Sequence, residues 1–225
     1  MNNFLELKNI YKTFKTEKTI KVLKGLSQKF KKGKIYSLMG PSGSGKSTLL
    51  NIISLIDKPS SGSMKFDKLQ IDFKNNGKND IFRAAKIGII YQQNNLLADF
   101  TALENIYLAS LSLHNDKKLA ISKAKQLLKL VKLSNRSDHY PSQLSGGECQ
   151  RIAIARAIIN DPEVILADEP TGSLDMNTAK DVFKLLSSQK KSNRLIIFAT
   201  HNRFFAKKAD YLLEMTNGSV KTTNV

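Results

Sequence analysis

Apolar residues occur in this chain in two kinds of run, which differ in length and spacing. Short runs rich in β-branched residues, "LELKNI", "KIYSLM" and "KIGIIY", recur in the first part, and "EVILAD" and "RLIIFAT" follow much later. Runs of this kind favour β-strands. The last two are almost continuously apolar, which is typical of strands buried on both faces of a mostly parallel sheet. The pattern therefore predicts a mostly parallel core sheet.

A helical pattern replaces the strand pattern between residues 92 and 160. The stretches "TALENIYLASL", "LAISKAKQLLKLVKL" and "GECQRIAIARAII" place apolar residues three or four positions apart. Thr101 and Glu104 have capping-box spacing at the start of the first stretch. We therefore expect an α/β fold in which a helical subdomain, 92–160, is inserted between two parts of a sheet domain, 1–91 and 161–225. Turn-forming residues predict loops near 57–63 and 74–80.

A glycine-rich motif, called here the phosphate loop, lies between a strand-like run and a helix-like run. It matches the pattern G-x-x-x-x-G-K-[ST] and consists of Gly40, Pro41, Ser42, Gly43, Ser44, Gly45, Lys46, Ser47 and Thr48. Its glycines let backbone N–H groups turn toward a phosphate, and the helix N-terminus adds a positive field. We expect Lys46 to reach the β- and γ-phosphates and the Ser47 hydroxyl to bind Mg²⁺.

Two carboxylates follow an apolar strand in "VILADEP". Asp168 is expected to hold Mg²⁺ through its water shell, because Mg²⁺ keeps most of its waters in proteins. Glu169 is expected to orient and activate a water molecule beside the γ-phosphate. By themselves, two adjacent carboxylates at the end of a strand would be interpreted as solvent-exposed charged residues without a function. Together with the phosphate loop it predicts hydrolysis of a nucleoside triphosphate.

The composition narrows the class of protein. A chain of 225 residues suits one core with an inserted subdomain. No apolar run approaches the ~20 residues that cross a membrane, and the first residues do not resemble a signal peptide. The single cysteine, Cys149, excludes an internal disulfide. These features predict a cytoplasmic protein.

The formal net charge of +17 has three possible explanations. They are a biased composition, a face directed toward an anionic membrane, and binding to nucleic acid. Nearly all the positive charge is lysine, whereas proteins that read bases usually rely on arginine. We therefore expect no nucleic-acid partner and leave the other two explanations open.

A second glycine-rich element, the signature segment "LSGGECQR" at 144–151, decides the family. Ser145, Gly146 and Gly147 would present a hydroxyl and backbone donors at the start of a helix, which suits an anion. With the other motifs in this order, the chain resembles the ATP-binding subunits of ABC transporters over essentially its whole length. The resemblance implies the P-loop cassette fold, with an antiparallel β part beside the mostly parallel sheet, and ATP hydrolysis. It also implies a head-to-tail homodimer, in which these three residues cover the γ-phosphate bound by the other subunit.

Four further site residues follow from the resemblance alone. Tyr11 resembles the aromatic residue that stacks on adenine. Gln92 resembles the glutamine that contacts Mg²⁺ and the attacking water, and His201 resembles the histidine that hydrogen-bonds the γ-phosphate. Gln92 and His201 would therefore act with Glu169 in catalysis. Asp175, in "GSLD", resembles the residue of the loop that contacts the opposite subunit.

The resemblance also implies partners. A chain with no membrane-spanning run would work with separate integral membrane subunits, as a peripheral protein on the cytoplasmic face of the inner membrane. Soluble cassette ATPases of translation or DNA repair are disfavoured, because they carry two cassettes or long insertions. Leu96, Leu97 and Phe100 are expected to contact a short helix of the membrane subunit. The transported substrate is not expected to touch this chain.

The segment "YQQNNLLADFTALENI" resembles one subfamily of these transporters. Its members drive lipoprotein release, macrolide export and a division-associated cassette. Lipoprotein release from the inner membrane toward the outer membrane is the favoured function. Export of a macrolide or peptide and the division-associated role remain alternatives.

Overall fold

The computed structural model of the protein describes residues 3–15 and 19–224, and the chain divides into two compact units. Unit 1 comprises Met1–Asp80 and Lys190–Val225, and unit 2 comprises Ile81–Gln189. In the described residues the strands are β1 (Leu5–Lys15), β2 (Thr19–Phe30), β3 (Ile35–Met39), β4 (Ser61–Phe66), β5 (Leu69–Gln70), β6 (Ile87–Ile90), β7 (Val164–Asp168), β8 (Leu195–Ala199), β9 (Tyr211–Thr216) and β10 (Ser219–Asn224).

The helices are α1 (Lys46–Ile53), α2 (Asn76–Lys86), α3 (Ala102–Leu111), α4 (Lys117–Leu130), α5 (Gly146–Ile158), α6 (Met176–Ser187) and α7 (Arg203–Ala206). Two short 3₁₀ turns, Ser134–Arg136 and Pro141–Gln143, separate α4 from α5. No helix in these residues combines the length and the apolar character that crossing a bilayer requires.

The first part of unit 1 is an antiparallel sheet in the order β2-β1-β4-β5. Leu5 of β1 lies opposite Phe30 on one side and Phe66 on the other. Buried and exposed residues alternate along β1, and the alternation changes phase at Lys8 and Asn9, where the register with β2 shifts. A bulge of this kind adds one residue to a strand and moves later side chains to the other face. The bulge thus keeps Ile10 on the buried face of the sheet together with Leu5 and Leu7.

The second part of unit 1 is built around β3. This strand pairs in parallel with β8 and with β9, and β10 pairs antiparallel to β9. Every residue of β8 is buried, as the continuous apolar run predicted. Leu38 lies opposite Ala199 near the carboxyl ends of β3 and β8. The phosphate loop and the residues after β8 therefore emerge side by side.

Unit 2 combines a parallel strand pair with the predicted helices. β6 and β7 pair from Ile87 opposite Val164 to Ile90 opposite Ala167. Beside them, α3, α4 and α5 enclose an apolar cluster in which Ala102, Ala124 and Ile152 are fully buried. Small alanine side chains allow these helices to approach closely. The fold is α/β with one antiparallel and one mostly parallel sheet, so the predicted fold class is confirmed.

Two loop predictions need correction. Residues 74–80 were expected to form a loop, but α2 begins at Asn76. Asn75 starts this helix, because its Oδ1 accepts a hydrogen bond from the Lys78 N–H at 3.2 Å, and asparagine is a strong N-cap residue. The loop expected at 57–63 is shorter than predicted, since β4 already begins at Ser61, opposite Tyr11.

The boundaries 91/92 and 160/161, drawn from periodicity, stay a prediction about the subdomains. The compact units divide the chain elsewhere, because β6, β7 and α6 cluster with the inserted helices. Asn160 contributes to this clustering, since its Nδ2 donates to the carbonyl oxygens of Ala84 and Ala109 at 3.1 and 3.0 Å.

Two glycines, one as the test and one as its control, probe the close approach of β6 and α5. A Cβ at Gly88, in β6, would overlap the carbonyl group of Ala157 in α5, whereas a Cβ at Gly77, in α2, would meet nothing within 4 Å. We expect Gly88→Ala to lower the free energy of unfolding by about 1–3 kcal/mol through overpacking. Gly77→Ala should be neutral or stabilise by up to about 1 kcal/mol, since alanine favours helix. Thermal unfolding of both variants checks this, and a Gly88→Ala protein as stable as the parent would contradict the close approach.

Candidate active site

The phosphate loop joins β3 to α1 in unit 1 and has the backbone of an anion cradle. Gly45, with φ of 101°, is the N-cap of α1 and provides no side chain to accept from the first N–H groups of that helix. Gly43 has φ of 75°, and an added Cβ would meet nothing within 4 Å, so its backbone borders open space. These positive φ angles favour glycine and turn the N–H groups inward.

Two side chains complete the cradle. The Ser44 hydroxyl is buried and has no hydrogen-bond partner in residues 3–15 and 19–224. Lys46 is also buried, and its ammonium donates to the carbonyl oxygens of Gly40 and Pro41 at 2.8 and 3.1 Å. A hydroxyl that lacks a partner, a cation held at the loop and an uncapped helix start together fit a polyphosphate group.

His201 lies beside the start of the phosphate loop. The Thr200 N–H donates to the Leu38 carbonyl oxygen at 3.1 Å, which fixes this turn to β3. His201 is exposed and lines a cavity of about 360 Å³ together with Gly40 and Pro41. The cavity is also lined by the charged residues Arg203, Lys207 and Glu214. Unit 1 therefore brings the predicted histidine to the loop from far along the chain.

Tyr11 is accessible on unit 1. Its side chain is 46% exposed, and a Cβ at Gly25 would lie 2.8 Å from the Tyr11 hydroxyl oxygen. The missing side chain at Gly25 thus leaves room for the ring. An exposed ring can stack on a base, and adenine stacking by Tyr11 stays a prediction.

In unit 2 the predicted water-activating residues lie together. Asp168 ends β7 and Glu169 follows it, while Gln92 comes shortly after β6, the parallel neighbour of β7. A Cβ at Gly172 would be 3.3 Å from Gln92 Nε2 and 3.4 Å from Glu169 Cβ. Glu169 is only 8% exposed and has a left-handed backbone with φ of 47°. A carboxylate that is both buried and held in this uncommon conformation supports the predicted role of Glu169.

The loop after Gln92 is held by a residue that the sequence reasoning missed. Arg156, in α5, donates to the carbonyl oxygens of Asn94 and Asn95 at 2.6 and 2.7 Å. Burial lowers the pKa of the Arg156 guanidinium, and the nearby Tyr91 opposes this shift. Both asparagines have positive φ angles, so the guanidinium fixes a tight turn. The sequence pattern predicted the helix α5, but it could not predict that Arg156 binds the backbone of Asn94 and Asn95, 62 and 61 residues earlier in the chain.

The signature segment begins α5 with a capping box. The Glu148 N–H donates to Ser145 Oγ at 3.2 Å, and the Ser145 N–H donates to Glu148 Oε2 at 2.8 Å. Ser145 and Gly146 are exposed, whereas Gly147 is buried and a Cβ there would overlap the Thr178 side chain in α6. The packing explains why position 147 is glycine and leaves the serine and the first glycine accessible.

Two carboxylates stabilise helix starts at this site. The hydrogen bond from the Ser145 N–H lowers the pKa of Glu148, and Arg136 lowers it further. Asp175 is the N-cap of α6, accepting from the Asn177 and Thr178 N–H groups at 3.0 and 3.1 Å, and the hydrogen bonds from Thr178 lower its pKa. Both pKa values are depressed, so these contributions to stability persist at neutral pH and are lost as the pH falls through the folded-state values.

The predicted site residues are divided between the two compact units. The phosphate loop and His201 belong to unit 1, and Gln92, Glu169, the signature segment and Asp175 belong to unit 2. No group of three or more His, Cys, Asp or Glu residues suited to a metal occurs in the described part of the chain. Mg²⁺ needs few protein ligands because it keeps most of its waters. Its predicted ligands are Ser47, Gln92 and Asp168.

A family model described as ABC transporter matches residues 23–172, which include the phosphate loop, both carboxylates and the signature segment. The chain belongs to this family. It is accordingly an ATP-binding, ATP-hydrolysing subunit of an ABC transporter, and the predicted activity is confirmed.

Curated relatives of this ABC subunit span its full length. The lipoprotein-releasing system ATP-binding protein LolD of Ehrlichia chaffeensis is 42% identical, covering 100% of this chain and 97% of the relative. LolD of Cytophaga hutchinsonii is 39% identical, covering 98% and 100%. An uncharacterised ABC transporter ATP-binding protein of Methanocaldococcus jannaschii, MJ1508, is 39% identical, covering 96% and 97%.

Solved structures agree with this assignment. The dimeric structure of the cassette MJ0796 in a post-hydrolysis state, bound to ADP and Pi, superimposes with a TM-score of 0.88 at 36% identity. A second dimeric structure of MJ0796 gives a TM-score of 0.90 at 36% identity. In both comparisons the match covers 98% of each chain.

The position of Glu169 generates a test of catalysis. Glu169→Gln keeps the size of the side chain but removes the base, so we expect ATP hydrolysis to fall by about 10²–10⁴-fold. Binding of ATP should be retained, because the phosphate loop is unchanged. Phosphate release and nucleotide binding are measured in parallel, with Asp181→Asn as a control that removes an exposed carboxylate from α6. Hydrolysis at the parental rate would reject the role of Glu169.

Proposed function

We propose that this protein is the ATPase subunit of a complex that releases lipoproteins from the inner membrane toward the outer membrane, and that it works as a homodimer around two ATP molecules. The full-length similarity to proteins named LolD, at 39% to 43% identity, is the observation that supports lipoprotein release. The family model does not specify the transported substrate, so the substrate is part of this proposal.

The chemistry assigned to the residues is positioning and charge stabilisation. Bound Mg²⁺ would neutralise charge on the β- and γ-phosphates. The ammonium of Lys46 and the N-terminus of α1 bind the phosphates. Glu169 accepts a proton from the attacking water, and Gln92, which lies near it at Gly172, orients that water. His201 donates a hydrogen bond to the γ-phosphate.

The accessible signature segment supports the proposed homodimer. Ser145 and Gly146 are exposed at the start of α5, where an anion is favoured. The neighbouring MJ0796 structures are dimeric, and one contains ADP and Pi. We propose that Ser145, Gly146 and Gly147 contact the ATP bound by the partner's phosphate loop, and that Asp175 lies at the same interface. ATP would then join the subunits, and its hydrolysis would release them.

Mixing two inactive variants tests the shared site. Lys46→Ala removes the phosphate cation. Gly146→Glu keeps the Ser145 cap and suits a helix N-terminus, but places a negative charge where phosphate would lie. In a mixed dimer both lesions fall in one site and the other site is intact. We expect each variant alone to lose most ATPase activity and the mixture to recover up to about a quarter of it, by the random pairing and single intact site of a two-site dimer.

If mixing restores no activity, dimerisation of the Glu169→Gln chain with ATP is measured by sedimentation. Failure of that chain to dimerise with ATP, at any protein concentration and with its membrane subunits present, would reject the proposed homodimer around two ATP molecules.

A groove in unit 2 supports the proposal of a membrane partner. It has a volume of about 280 Å³ and is lined by residues of α2, β6, α3 and α5 and of the segments that follow β6 and α3, among them Arg83, Tyr91, Asn95 and Ser112. Leu97 and Phe100, nearby in sequence, are 48% and 37% exposed, whereas Leu96 packs against the helical core. We propose that a short helix of an integral membrane subunit docks here through Leu97 and Phe100. The protein would thus be peripheral on the cytoplasmic face of the inner membrane.

The alternatives concern the substrate. Macrolide or peptide export and the division-associated role would use the same ATPase chemistry with different membrane subunits. A soluble cassette ATPase would have no membrane subunit and would leave the exposed Leu97 and Phe100 without a partner. A test in cells therefore has to follow the transported molecule.

Replacing the chain in its own cells by Leu97→Asp/Phe100→Asp tests both docking and function. We expect unchanged basal ATPase activity, loss of co-purifying membrane subunits and retention of lipoproteins in the inner membrane. Leu119→Asp/Leu130→Asp is the matched control, since these α4 leucines are 47% and 50% exposed. If lipoproteins leave the inner membrane normally while export of a drug or peptide stops, the export alternative replaces the proposed function.

A further inference from the structure

Loop 97–101, which carries the proposed docking residues, is bonded to α3 by the side chain of Asn105. Asn105 is 1% exposed, and its Nδ2 lies 3.0, 2.9 and 3.0 Å from the carbonyl oxygens of Leu97, Phe100 and Thr101. Its Oδ1 accepts from the Leu97 N–H at 2.7 Å. A buried amide without these partners would be costly, so the loop and the start of α3 move together.

The start of α3 is in turn bonded to the segment before the signature. The first N–H groups of a helix have no partner within it. Here the Ala102 N–H donates to the His139 carbonyl oxygen at 2.8 Å, and the Leu103 N–H donates to that of Ser137 at 2.9 Å. Residues 134–139, called here the linker segment, are therefore bonded directly to the start of α3.

Arg136 connects the linker segment to the signature segment. Its Nε donates to Glu148 Oε1 at 3.1 Å. The other oxygen of this carboxylate, Oε2, accepts from the Ser145 N–H at 2.8 Å. Arg136 is also held in place, because its guanidinium lies 3.2 Å from His139 Nε2. One carboxylate thus joins the linker segment to the serine that begins α5.

We propose that Arg136 is a positioning residue, which transmits displacements between loop 97–101 and the signature serine, Ser145, through Glu148. The path is a continuous series of hydrogen bonds within unit 2: loop 97–101 to Asn105, α3 to the linker segment, and Arg136 to Glu148 and Ser145. It rests on the proposed function, because it takes ATP at Ser145 and a membrane subunit at loop 97–101 as its two ends. The sequence alone marks Arg136 only as a charge between two helices.

The chain contains no tryptophan, which permits a direct measurement at the far end of the path. Leu97→Trp, at a half-exposed position, places a single tryptophan in the loop, which can be excited selectively above the absorption of tyrosine. Glu169→Gln keeps bound ATP intact. We expect ATP to change the emission of the introduced tryptophan. Adding Arg136→Met, which keeps the aliphatic length but removes charge and donors, should reduce that change by about 3- to 30-fold at equal ATP occupancy, the usual size of such couplings.

Two further variants separate positioning from stability. Glu148→Gln retains the capping box, because glutamine also serves at this position, but loses the ion pair, so its effect should equal that of Arg136→Met. The double variant should lose no more than either single variant, since both remove the same link. Arg136→Lys should restore part of the response by keeping the charge. Lys129→Met, which removes an exposed cation of α4, is the matched control and should respond like the parent.

Bound ATP and thermal unfolding are measured for every chain, so that a folding defect in one variant is recognised and the comparison then uses Glu148→Gln. The proposal is overturned if Arg136→Met and Glu148→Gln respond to ATP as fully as Lys129→Met. A parent chain that binds ATP without any change in emission would overturn it as well. Neither result depends on the transported substrate, so failure of lipoprotein release in the cellular test remains distinguishable.

Discussion

Parallel pairing of strands is the constraint on which both halves of the site depend. Neighbouring parallel strands end at the same edge, so β3 and β8 bring the phosphate loop beside His201, and β6 and β7 bring Gln92 beside Glu169. In each case the residues are far apart in the chain. Apart from Tyr36 and Ser37 of β3, these four strands are apolar up to their carboxyl ends. The reactive groups are therefore concentrated where backbone and side chains can meet a ligand.

The sequence predicted what depends on local spacing. The phosphate loop, the capping boxes and the buried strands each lie within about ten residues, so their patterns are readable. It missed α2, because its first turn is rich in asparagine and lysine and looks like a loop. The roles of Arg156, Asn105 and Arg136 were also missed. These side chains hydrogen-bond to carbonyl groups or to a carboxylate that the folded structure brings near them. The periodicity of the sequence does not specify such partners.

Glycine shows the same division between local and tertiary information. Gly43 and Gly45 are recognisable because the phosphate loop requires positive φ angles. Gly147 is glycine for a different reason, since a side chain would overlap Thr178 of α6. The signature segment therefore serves two purposes at adjacent positions: Gly147 fixes the start of α5 against α6, and Ser145 with Gly146 faces outward. Rigid attachment on one side is what gives an exposed anion site a defined position.

The net charge is divided unevenly between the units. Unit 1 contains 23 lysines and arginines and 8 aspartates and glutamates, a net charge of +15, whereas unit 2 contains 13 and 11, a net charge of +2. In the proposed head-to-tail dimer, the phosphate loop of one strongly basic unit 1 faces the signature segment of the partner's nearly neutral unit 2. This arrangement opposes fewer like charges than two basic surfaces would, and the polyanionic ATP neutralises unit 1 where the subunits meet. Loss of the γ-phosphate would then remove negative charge from between the basic unit 1 and the partner subunit, so the proposed dimer would be held less tightly after hydrolysis.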